Sequence, residues 1–195
     1  MTETENIIQT FFEQYPEFTY DPASETMAQF WQLCNHMGWA HNTSERKEAL
    51  GGIRNAIAQQ FNAFYGGSAE DLNGWHNLYR ALRVPDVPDS VAGCKALVPT
   101  IHVNICDLVD YSLHGQEMDV ALHGSQEELA EYSRKNGKIY PRENAYAEGL
   151  LRFLLREIYG KYQGRRREGA GGRRRDRGRR GGKGGRRGRA GRRRE

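Results

Sequence analysis

Sixteen cationic side chains crowd the last 32 residues of this 195-residue chain: Arg165, Arg166, Arg167, Arg173, Arg174, Arg175, Arg177, Arg179, Arg180, Lys183, Arg186, Arg187, Arg189, Arg192, Arg193 and Arg194. Fifteen of them are arginine. A guanidinium is a planar fork that donates to two phosphate oxygens at once and stacks on a base, which an ammonium does poorly. That choice points to nucleic acid, RNA before DNA, rather than to a generic solvated charge run. Against Glu168, Asp176 and Glu195 the segment from Gly164 to Glu195 carries +13, which leaves −9 on residues 1–163 of a chain whose net charge is +4. A basic tail on an acidic body implies a polyanionic partner. It also sets up a competition, because the body itself could hold the tail in cis.

The segment contains no Val, Ile, Leu, Met or aromatic residue. With nothing to bury against chain entropy it is expected to be disordered. It resembles the RGG/RG boxes of RNA-binding and nucleolar proteins through Arg177-Gly178, Arg180-Gly181-Gly182 and Arg187-Gly188, with Lys183-Gly184-Gly185 as a variant. The resemblance implies low-specificity RNA binding and arginine methylation. It departs from the pattern in having a single strict RGG triplet and no interleaved aromatics, so stacking falls to arginine alone. The runs Arg165–Arg167, Arg173–Arg175 and Arg192–Arg194 read equally as nuclear import signals.

Chemistry-bearing groupings in the body are weaker. His102, Cys106 and Asp110 stand at i, i+4, i+8 and on a continuous helix would share a face that offers metal ligands. A structural zinc site wants four closely paired ligands, so the expectation is a core cysteine with a capping or salt-bridged polar pair. Cys34 with His36 and His41 has the same standing, since Cys34 already belongs to an apolar stripe. Asp107 and Asp110, at i, i+3, could work as an acid/base pair but read first as a solvated face. No glycine loop is followed by the Lys-Ser/Thr of a phosphate cradle. The reading is therefore no enzyme, no cofactor and no metal. Phe11, Phe12, Tyr15, Phe18, Tyr20, Trp31 and Trp39 could line a groove for a peptide or stacked bases, with core packing as the plainer reading.

The elements that must position these residues are helices. Glu5–Tyr15 is a helix candidate stopped by Pro16, and Phe18–Pro22 is extended or turned. A second helix is expected from Asp21–Ser24, with Met27, Phe30, Trp31 and Cys34 on one face and Gly38 as its stop. A third is capped by Ser44, carries Leu50, Ile53, Ile57, Phe61 and Phe64, and ends at Gly66-Gly67; Gly51-Gly52 weakens it by about 1 kcal/mol each. Ser68 with Asp71 opens a fourth, with Leu72, Trp75, Leu78, Tyr79 and Leu82 on one face. Ser90–Leu113 fits a helix kinked or broken at Pro99, although Ile101, Val103 and Ile105 alternate like a strand. His114–Gly124 is a loop, Ser125 with Glu128 opens a helix to Asn136, and Pro141–Tyr159 is the last helix.

The whole is expected to be all-α: one compact acidic domain of about six to eight helices over 1–163, followed by the tail 164–195. The three cysteines, Cys34, Cys94 and Cys106, suit a reducing compartment. The acidic N-terminus lacks the n- and h-regions of a signal peptide, and no apolar run approaches a membrane span, so a soluble intracellular protein is expected. Residues 10–158 resemble a small domain of uncharacterised proteins of filamentous fungi. The resemblance rests on Phe18-Thr-Tyr-Asp-Pro22, Phe30-Trp-Gln-Leu-Cys34 with Gly38-Trp39, Gln60-Phe-Asn62 with Tyr65-Gly66, Val87-Pro-Asp-Ser90 with Cys94-Lys95, His102–Val109, Leu129–Tyr132 and Ile139–Pro141. It implies a helical fold and brings no function with it. The resulting expectation is a non-enzymatic nuclear or nucleolar protein that meets RNA or DNA through its tail and an unknown protein through its body. The alternative is an interaction module whose tail mainly directs nuclear or nucleolar import, and a second alternative is a small enzyme or metal protein resting on His102, Cys106 and Asp110.

Overall fold

Asn6 starts the first helix by accepting the Gln9 N–H at 3.0 Å, and α1 runs Ile7–Phe12 with Ile8, Phe11 and Phe12 buried. It is shorter than the expected Glu5–Tyr15. The computed structural model describes residues 5–115, 120–140 and 149–155. Among them follow α2 (Thr26–His36), α3 (Ser44–Tyr65), α4 (Leu72–Ala81), α5 (Val91–Leu97), a 3₁₀ turn (Val98–Thr100), α6 (Ile105–His114) and α7 (Gln126–Lys135). Residues 149–155 are also helical. Of the expected last helix only this stretch falls among the described residues, with Leu150, Leu151, Leu154 and Leu155 buried. The tail and Ile158 lie outside the described residues. The fold is all-α, as the periodicity predicts.

The long α3 is the axis of the core. Ile53, Ile57 and Phe61 are fully buried along it, and α1, α2, α4 and α6 all pack on it. Its two glycines differ in role. A Cβ on Gly51 would meet nothing within 4 Å, whereas one on Gly52 would stand 2.9 Å from the Phe11 ring. Gly52 thus marks the close approach of α1 to α3, and Gly51 has no such reason. Gln60, fully buried on α3, accepts the Ile7 N–H at 2.7 Å and donates to the Glu5 carbonyl at 3.2 Å. A polar side chain in the core therefore satisfies a donor that the first turn of α1 leaves orphaned.

The expected helix starts differ in detail. α3 is capped by Thr43, whose hydroxyl accepts the Arg46 N–H, one residue ahead of Ser44. α4 is capped by Asp71 itself, while the Ser68 hydroxyl accepts the Glu70 N–H in the preceding turn. The expected box at α7 forms with a twist: Ser125 accepts the Glu128 N–H, but the Glu128 carboxylate reaches past the cap to the Gly124 N–H at 2.8 Å. α2 starts at Thr26, because Asp21 and Ser24 bond each other and close a separate turn.

The stretch across Pro99 also needs correction. The helix breaks there, yet it does not resume until Ile105. Asn104 restarts it by accepting the Cys106 N–H at 2.9 Å. Between the two, Ile101 and Val103 are buried in extended chain, and Val103 forms an isolated antiparallel bridge with Leu122. The His102 carbonyl accepts the His123 N–H at 2.9 Å. The strand-like alternation therefore marks real extended chain, and the loop before α7 supplies its pairing partner. His114 closes α6 rather than opening that loop.

Candidate functional site

Two features of the body gather functional groups: a buried polar cluster and an aromatic surface. The sixteen tail cations from Arg165 to Arg194 lie outside the described residues.

The polar cluster forms where the start of α2 meets α6 and the chain leaving α7. Asp110, on α6 and 2% exposed, accepts the Thr26 N–H at 3.2 Å and the Thr26 hydroxyl at 2.5 Å. It caps α2 from 84 residues away, supplying what Glu25 at the cap position does not. Burial pushes its carboxyl up to about 7, against the opposing pull of the Thr26 bonds and the Lys138 charge. Lys138 is buried as well. Its ammonium donates to Asp107 at 2.6 Å and pairs with Glu25 at 2.9 Å. Burial alone would lower its pKa; the bonds and charges of Asp107 and Glu25 outweigh that and hold it protonated well above the ordinary lysine value. Asn104 completes the cluster by donating to the Lys138 carbonyl and to Ser133.

Lys138 is delivered by Gly137, which takes φ +65° at the end of α7. A Cβ there would come 2.7 Å from the Trp31 indole nitrogen. Position 137 therefore requires glycine twice, for its backbone and for its space.

This geometry dissolves the groupings that spacing suggests. His102 lies in extended chain ahead of α6, so it shares no helix face with Cys106 and Asp110. Asp107 and Asp110 do not form a solvated face: one pairs with Lys138 and the other caps α2. Cys34 is buried in the core, while His36 is exposed with its ring against Phe18. Among the described residues no three His, Cys, Asp or Glu side chains converge to hold a metal ion. All three cysteines are free and buried, and burial raises each thiol pKa, which disfavours the nucleophilic thiolate. Sequence reasoning misses Thr26 and Lys138 altogether, and names Gln60 only as part of a motif, without its role. Their signal is tertiary, since each acts on a residue at least 31 positions away.

The aromatic surface surrounds Tyr15. A groove of about 410 Å³ is lined by Phe12, Tyr15, Phe18 and Tyr20 together with Glu13. A second, of about 370 Å³, is lined by Phe11, Tyr15, Trp39, Glu45 and Glu48. Core packing accounts for Phe11 and Phe12, which are buried; Tyr15, Phe18, Tyr20, Trp31 and Trp39 are half-buried and pack against the core. Comparison with known proteins finds no matching family model, curated protein or solved structure. Among the described residues no helix is long and apolar enough to cross a membrane.

Proposed function

We propose that the chain is a non-enzymatic, nucleic-acid-associated protein, RNA being the preferred ligand, in which the Arg/Gly segment 164–195 supplies affinity and the helical body supplies a partner surface. The observation that carries this reading is the arginine content of the segment: fifteen arginines to one lysine, at a local charge of +13. Such a segment binds phosphate with little sequence preference. The acidic body contributes the opposite charge and so adds nothing to phosphate affinity. Its half-buried aromatic grooves suit a protein partner, in keeping with the nuclear or nucleolar setting that the tail implies. The motifs that resemble those of filamentous-fungal proteins include structural positions such as Phe30, Gln60 and Asp107, so the reading draws on them for fold and not for activity.

Binding to single-stranded RNA and duplex DNA, measured across a salt series on the full chain, tests the reading. If about eight arginines meet phosphates of a single strand, the slope of log K against log salt is roughly −5 to −6. Weak binding with a slope near zero overturns the proposal. The second reading, nuclear import, is favoured by the three arginine triplets. It wins if neutralising Arg165–Arg167 and Arg192–Arg194 abolishes nuclear accumulation and leaves RNA affinity intact.

A further inference from the structure

Tyr15 and Trp39 meet at nearly a right angle, with ring centroids 5.7 Å apart and planes at 75°, and both rings are partly open to solvent. Phe11 tilts against Tyr15 at 5.5 Å. The groove they line is bordered by the exposed carboxylates of Glu45 and Glu48. An edge-to-face aromatic pair, partly open to solvent and with carboxylates beside it, is suited to a cation, which the ring quadrupoles attract and the carboxylates neutralise. The same composition disfavours a stacked nucleobase, since the base would bring its phosphate to Glu45 and Glu48. A guanidinium already packs on a neighbouring ring: Arg46 lies 5.1 Å over the Trp31 ring and donates to the Trp39 carbonyl at 3.3 Å. The charge of Glu48 is felt at Tyr15, whose hydroxyl pKa is raised by burial first and by Glu48 next.

We propose that the Tyr15–Trp39 corner with Glu45 and Glu48 is a binding site for an arginine side chain, filled in cis from the Arg/Gly segment 164–195. It rests on the same charged segment as the RNA-binding reading but assigns it a second ligand. Charge complementarity between the −9 body and the +13 segment selects the occupant. Arg165 is ten residues beyond Leu155, the last of the described residues, and ten residues span up to about 33–36 Å. A tethered arginine also reaches the groove at an effective concentration on the order of millimolar, which populates contacts too weak to form between separate molecules. Fifteen near-equivalent arginines share the one corner, so occupancy does not depend on any single residue. The groove and a phosphate strand then compete for the same side chains, and the body tunes the tail's availability.

The test contains no nucleic acid, so its failure leaves the RNA-binding reading untouched and the converse also holds. The Trp39 indole N–H is followed by NMR in the full chain at low salt, with the Trp75 indole, buried and bonded to the Ala69 carbonyl at 2.9 Å, as the internal reference. Three variants are compared with the native chain: the fifteen tail arginines replaced by lysine, Glu45→Gln with Glu48→Gln, and Glu131→Gln with Asp86→Asn as an equal-charge control at exposed sites. Expected is a Trp39 shift in the first two and in native protein at high salt, with no shift in the control and none at Trp75. An unchanged Trp39 signal in the lysine-tail chain overturns the proposal. So does an equal response of the control pair, which would mean diffuse attraction, or a shift that grows with protein concentration, which would mean capture between copies. If the Glu45/Glu48 variant fails to fold, the lysine-tail chain decides alone, because it leaves the body unaltered.

Discussion

Asp110 answers to two opposing demands. Its carboxylate accepts both polar hydrogens of Thr26 at the start of α2, where a negative charge is favoured, but it does so out of water. With its carboxyl raised to about 7 in the fold and near 3.9 in the unfolded chain, the native state binds the extra proton between those values. Stability therefore falls as pH rises from about 4 to 7, by up to about 1.4 kcal/mol for each pH unit crossed. The groups facing Asp110 are Lys138, Asp107, Cys106 and Tyr20, and Lys138 stays charged throughout this window. In Asp110→Asn this part of the pH slope disappears; urea midpoints for both proteins at pH 4, 5.5 and 7 read it directly. Lys138 poses the complementary case. Lys138→Met leaves Asp107, mostly buried, without its cation, and costs about 3 kcal/mol or more in the same denaturation assay. A loss under about 1 kcal/mol would mean that Asp107 finds water on its own.

At the scale of elements, α3 offers a controlled comparison between adjacent glycines. Gly51→Ala places a methyl in open space on a helix interior and is expected to stabilise by up to about 1 kcal/mol. Gly52→Ala has the same propensity gain but forces Phe11 away, and is expected to destabilise by about 1–3 kcal/mol. Thermal unfolding of the pair separates propensity from packing, and equal shifts would remove Gly52 as the contact that sets the α1–α3 spacing. The same contrast explains what the sequence makes legible. Helical periodicity identifies the buried faces of α2, α3 and α4 because Phe30, Ile57, Trp75 and their neighbours repeat locally. Helix starts are less legible, since Thr43 and Ser44 are chemically interchangeable in a string of letters. The start of α2 is illegible in principle, because its cap arrives from α6. The extended chain at Ile101–Asn104 shows as alternation, but alternation alone names no partner, and the one it has sits in the loop at Leu122.

For the whole molecule the governing fact is the separation of charge along the chain, and the chemistry of the cation can be separated from its charge. Counterion release counts positive charges near phosphates and is indifferent to whether they are ammonium or guanidinium. Bidentate bonding and stacking on bases belong to arginine. Replacing the fifteen tail arginines by lysine keeps the segment at +13. The salt slope for single-stranded RNA is then expected to hold at roughly −5 to −6, while the affinity at fixed salt falls by about tenfold, or about 1.4 kcal/mol. A lysine tail released from the Tyr15–Trp39 corner would recover part of that loss, because the body no longer competes for it. Combining the lysine tail with Glu45→Gln and Glu48→Gln resolves the two contributions. In the arginine chain the groove substitutions should raise RNA affinity, and in the lysine chain they should leave it unchanged, since no guanidinium remains for the corner to withhold.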